Sequence, residues 1–160
     1  MRAGNMYTCL GVLIESLRCY VHDGVRAVPM GGYVRLPSTG ATVELVVQIE
    51  LSQKRNLGGI VPELHHFDLI VGDILPAASN RDSLRNPTAR TVRRVLPKDC
   101  ERRGKQLLFR HRFPRVSHSF YLRLRGTNTS VDVPQLDPPD VDPWGDLWFY
   151  GNPIFVIVKG

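Results

Sequence analysis

The stretch Thr42-Val-Glu-Leu-Val-Val-Gln-Ile-Glu-Leu51 decides the fold. Val43, Leu45, Val47, Ile49 and Leu51 fall on one side of an extended chain. Thr42, Glu44, Gln48 and Glu50 fall on the other, with Val46 the exception. Successive side chains of a strand face opposite ways, so this spacing predicts a strand with one face in a core and one in water. The same period recurs downstream. In Ser117 to Arg125, Phe120, Leu122 and Leu124 alternate with Ser119, Tyr121, Arg123 and Arg125. In Gln106 to Phe113, Leu107, Phe109 and Phe113 alternate with Arg110 and Arg112. These arginines are expected to reach water, or to lay their stems over apolar neighbours.

Phe67 to Leu75 and Pro153 to Val158 are short and rich in β-branched residues, as buried strands are. Thr88 to Leu96 and Gly32 to Leu36 are weaker strand candidates. Met6 to Val21 fits neither period, with strand favoured from Leu17 to His22. Turn chemistry separates the runs at Pro37 to Gly40, Asn56 to Gly59, Asn86-Pro87, Arg103-Gly104 and Gly126 to Asn128. Strands spaced by turns, with no long amphipathic helix, predict a mainly β fold. The expected architecture is an antiparallel β-sandwich, Ig-like or jelly-roll-like, with long irregular loops. The whole chain, 1–160, reads as one domain. Residues 1–16 read as irregular chain or the remnant of a truncated N-terminal extension. Residues 127–146 read as a long acidic loop in which Pro134, Pro138, Pro139 and Pro143 forbid ladder pairing.

Composition narrows the function classes. A 42% hydrophobic and 22% charged chain of 160 residues can bury a core, so disorder is not the default. No apolar run approaches the roughly 18 residues of a membrane span, and no secretory leader pattern is present. A cytoplasmic protein is expected. Cys9, Cys19 and Cys100 are odd in number and form no C-x-x-C pair, which points to free thiols in a reducing compartment. The net charge of +6 is unevenly spread. Arg81 to Arg125 holds fourteen Arg or Lys against three Asp or Glu, while the remainder holds seven against twelve. Such a block binds polyanions in some proteins and is the wet face of strands in more.

Catalytic patterns are sparse. There is no G-x-S-x-G elbow, no Walker loop and no His-x-His. Ser117-His118-Ser119 places serine beside histidine, but neighbours on a strand face apart, so no direct dyad is expected. His66 and Asp68 share a strand face and are the weak candidates for a metal. His65 and Asp73 take the other face, so three converging ligands are not expected. The blander expectation for His66 and Asp68 is a hydrogen-bonded pair at a strand edge. Trp148 and Tyr150 share a side and Phe149 takes the other. At least one of Trp144 and Trp148 is expected in the core, with a stacking platform as the alternative.

The run Ser119-Phe-Tyr-Leu-Arg-Leu-Arg-Gly-Thr-Asn128, followed by Asp142-Pro-Trp-Gly-Asp-Leu-Trp-Phe-Tyr-Gly-Asn-Pro-Ile-Phe-Val156, resembles the C-terminal β-rich region of metal-dependent phosphoesterases of the polymerase-and-histidinol-phosphatase (PHP) type. His65 to Asp73 and Met30 to Leu51 are similar to earlier strands of that region. The resemblance implies an accessory region whose metal-binding catalytic domain lies outside this chain, supplied in cis or in trans. It implies no catalytic residue and no cofactor here. Arg123, Arg125, Asp142, Trp144 and Asp146 are the expected partner contacts. Two other readings stay open: a polyanion- or nucleic-acid-binding module using Arg93, Arg94, Arg102, Arg103, Arg110 and Arg112, and an autonomous metal-dependent phosphohydrolase.

Overall fold

The computed structural model describes residues 4–75, 86–131 and 144–159. Its described residues form twelve strands and one short 3-10 turn, Pro97–Asp99. One sheet (sheet B) contains β2 (Ile14–His22), β3 (Ala27–Pro29), β5 (Val43–Leu51), β8 (Glu101–Arg103) and β9 (Gln106–Phe113), in the order β3-β2-β5-β9-β8. The other (sheet A) contains β1 (Tyr7–Cys9), β4 (Tyr33–Leu36), β6 (His66–Asp73), β7 (Arg90–Val95), β10 (Phe120–Thr127), β11 (Trp148–Gly151) and β12 (Ile154–Val158). The sandwich anticipated from the alternating segments is what the chain forms. Every pairing is antiparallel except β12 with β4, which run parallel from Phe155↔Tyr33 to Val158↔Leu36.

The core lies between the sheets. Val43, Leu45, Val47 and Ile49 of β5 face Phe67, Leu69 and Val71 of β6 and Phe120, Leu122 and Leu124 of β10, all buried. Phe67 meets Phe109 across the layers at 5.6 Å, edge to face, and Phe113 meets Phe120 at 5.2 Å. The Val46 exception is explained by register. It lies on the outer face of sheet B between Tyr20 and Arg110, and is 2% exposed.

Two expectations need correction. Residues 1–16 are not wholly irregular, because β1 pairs with β11 and β2 begins at Ile14. Gly126 is not a turn residue. It continues β10, and a Cβ there would meet Phe149 Cε1 at 2.1 Å, so the glycine permits a close approach rather than a bend. Most of the acidic loop lies outside the described residues, and Asp142 with it. No helix among the described residues is long and apolar enough to cross a membrane.

Candidate functional site

The strand β6 has β10 on one side and β7 on the other, so it is central and not an edge. Its Phe67, Leu69 and Val71 enter the core, which turns His66, Asp68 and Ile70 to the outer face of sheet A. The register places Arg125 of β10 and Arg94 of β7 directly across from Asp68. Asp68 is completely buried and accepts three N–H bonds: Arg94 Nε at 3.0 Å, Arg94 Nη2 at 3.2 Å and Arg125 Nη2 at 2.8 Å. Burial pulls the Asp68 carboxyl up, but the two guanidinium groups outweigh it and hold the carboxyl below its ordinary value. The expected His66–Asp68 hydrogen bond is absent, since His66 Nε2 stands 3.9 Å from Asp68 Oδ1. Burial and the nearby Arg94 charge push the His66 imidazole pKa below its ordinary value, away from the charged form. Its Nδ1 instead meets His65 Nδ1 at 2.9 Å.

Around this buried cluster the same face carries aromatic rings. Tyr150 is opposite Arg125, Trp148 opposite Thr127, and Phe155 opposite Tyr121. Trp148 and Tyr150 share a side, as their spacing predicts, with ring centroids 5.0 Å apart. The exposed Arg123 guanidinium lies over the Tyr150 ring at 5.9 Å, and Arg35 over Tyr33 at 5.8 Å. Tyr33 in turn stacks on Phe155 at 4.9 Å. Cation–π placement of this kind holds a guanidinium at the surface without discharging it.

At the Thr127 end of this face, three loops meet. A Cβ on Gly11 would touch Leu147, and one on Gly58 would touch Trp144. Asn128 fastens the 144–147 loop to the end of β10: its Oδ1 accepts the Leu147 N–H at 2.7 Å, and its Nδ2 donates to the Gly145 carbonyl at 3.2 Å. Trp144 packs partly buried against the core, the tryptophan expected there. The 10–12 and 56–61 loops nonetheless expose Leu10, Val12, Leu57, Ile60 and Val61, with Leu57 at 93%. Exposed branched aliphatics gathered on the loops of one end differ from singly scattered ones, which are ordinary.

The structure divides the expected partner contacts. Arg123 and Arg125 are on the sheet A face, Trp144 and Asp146 on the adjoining loops. Arg125, expected to face water, is only 12% exposed and is committed to Asp68. The polyanion candidates are not brought together. Arg94 belongs to the Asp68 cluster on sheet A. Arg110 faces outward from sheet B, bound to Glu44 at 3.3 Å, and Arg112 shares its face of β9. Arg103 is bound to Glu101 at 2.7 Å, and Arg102 to the Gly104 carbonyl at 3.0 Å, both on β8. Arg93 sits where β7 bulges against β6.

Among the described residues no three His, Cys, Asp or Glu side chains are grouped to hold a metal. Asp73, at the far end of β6, is bound to His118 Nε2 at 3.1 Å. The serine beside that histidine was expected to face away, yet Ser117 Oγ stands 3.0 Å from His118 Nδ1. The parity argument fails there because Arg115 has a φ of 49°, so residues 114–119 are not extended strand. Ser117, His118 and Asp73 thus lie in line, with Ser117 and His118 exposed to water.

Comparison with family models, curated proteins and solved structures finds no match to this chain. The site therefore stands on its geometry. Sequence reasoning missed the Arg94–Asp68–Arg125 cluster because its members come from three strands. Opposite charges on strands of matching parity were the available signal.

Proposed function

We propose that this chain is a non-catalytic β-sandwich module that docks a protein partner. The docking surface is the outer face of sheet A together with the 10–12, 56–61 and 144–147 loops. The observation that carries this reading is the combination of exposed Leu10, Val12, Leu57, Ile60 and Val61 with the aromatic and arginine face beside them. Apolar anchors flanked by aromatic residues and arginine are the composition of protein interface centres. Asp68 holds Arg125 in place, so part of the surface is ordered before any partner arrives, which lowers the entropy cost of docking. The exposed arginines of this face favour a partner carrying acidic side chains. The resemblance in the sequence suggests that the partner is a phosphoesterase-type catalytic domain, in cis or in trans.

A photo-crosslinking phenylalanine at Tyr121, introduced in cells, tests this, with a matched probe at Gln48 on the outer face of sheet B as control. The expected product is a cross-link from position 121 to a phosphoesterase-type catalytic domain, lost on adding Arg123→Glu. A nucleic-acid adduct at position 121, or equal products from both probes, refutes the reading.

A further inference from the structure

At the end of the sandwich remote from the apolar loops, the two layers part. A crevice of about 350 Å³ opens between β6 and β7 on one side and β9 with the 114–118 loop on the other. Its apolar walls include Val71, Val92, Phe113, Val116 and Phe120. Its polar lining is cationic or neutral: Arg90, Arg112, Arg115, His111, His118 and Ser117. No acidic residue among the described residues lines it. Asp73, at the end of β6, is engaged by His118 at 3.1 Å and approached by Arg90 at 3.7 Å. Arg112 belongs to the outer face of sheet B, so the cations that face the crevice are Arg90 and Arg115, and Arg115 makes no side-chain hydrogen bond or ion pair within the described residues. Arg115 is also one of two non-glycine described residues held in the left-handed backbone region, with φ 49°. Backbone strain of this kind persists where surrounding structure enforces it, and it concentrates at binding sites.

We propose that this crevice binds a small amphipathic organic anion. An aliphatic or aromatic body would lie against Val71, Phe113, Val116 and Phe120, and a carboxylate, sulfonate or phosphate would meet Arg90 and Arg115. The volume falls within the range of ligand pockets, and an apolar lining with a few charged groups is their usual composition. An anion with no apolar body leaves the walls unfilled. A neutral amphiphile leaves the Arg115 guanidinium without a partner.

The fluorescent probe 8-anilinonaphthalene-1-sulfonate reads this site on the full chain. Saturable binding with one site is expected, displaced by octanoate but not by 1-octanol or inorganic phosphate. The variant Arg90→Ala/Arg115→Gly should lose affinity by about tenfold or more, the scale of one charge-assisted hydrogen bond. Glycine at 115 accepts the positive φ, so the fold is spared and circular dichroism should be unchanged. Leu57→Ser, at the opposite end, should leave the affinity unaltered. Equal displacement by octanoate and octanol, or a folded double variant that binds as the original does, overturns the assignment.

Discussion

Replacing Asp68 by alanine removes a carboxylate that both Arg94 and Arg125 bind. The consequence can be worked from exposure. Asp68 lies 1% exposed in its side chain, Arg125 12% and Arg94 39%. Deleting one partner of a buried ion pair costs about 3–5 kcal/mol, chiefly because the charge left behind has lost both water and counter-ion. Arg94 has access to solvent and can swing out, so its share is small. Arg125 is nearly buried on a central strand, opposite Tyr150, and cannot. The expected loss is therefore about 3 kcal/mol, at the lower end of that range. For a chain of this size it lowers Tm by roughly 6–12 °C. Urea titration at pH 7 measures it, with Arg94→Ala as a companion expected to cost clearly less. The charge adds an acid signature. The folded carboxyl sits below its unfolded value near 3.9, so its stabilisation is complete above about pH 4 and is lost as pH falls through the folded value. Asp68→Ala should lack that component of acid unfolding. A loss under about 1 kcal/mol, or an unchanged acid limb, would show that the arginines are solvated and the cluster is not a stabilising unit.

His66 is buried and depressed in pKa, so the unfolded chain takes up a proton first as pH falls. Stability should drop below about pH 6.5, His66 contributing up to about 1.4 kcal/mol per pH unit and His111 a second such component, so His66→Gln should flatten the slope without abolishing it. Gly126→Ala forces a methyl group into Phe149, which is fully buried, and should cost about 1–3 kcal/mol by overpacking, read as a fall in Tm. Arg123→Glu touches only the exposed side of sheet A. It should leave stability within about 0.5 kcal/mol while abolishing the Tyr121 cross-link.

The layered β architecture was readable because side-chain parity is a local property. Val43 to Leu51, Gln106 to Phe113 and Phe120 to Leu124 each carry their buried face in their own sequence, and their burial follows it. The short strands at Tyr7–Cys9, Ala27–Pro29 and Glu101–Arg103 were not legible, since three residues hold no period and exist by pairing with longer neighbours. The site was less legible than the fold. Arg94 and Arg125 belong to different reading frames of a linear charge count, and only the β10-β6-β7 order brings both to Asp68. Ser117 and His118 escaped the parity rule because the backbone at Arg115 leaves the extended region.

The parallel pairing of β12 with β4 has a bearing on how this protein is made. On a ribosome, Tyr33–Leu36 emerges more than a hundred residues ahead of Ile154–Val158. Until then that early segment has no ladder neighbour in sheet A, because among the described residues its one neighbour there is β12. The nascent chain can assemble β2, β5 and β9 beforehand, but one layer stays unsealed until Ile154–Val158 has emerged. Stalled or C-terminally clipped products should therefore be the species that chaperones retain.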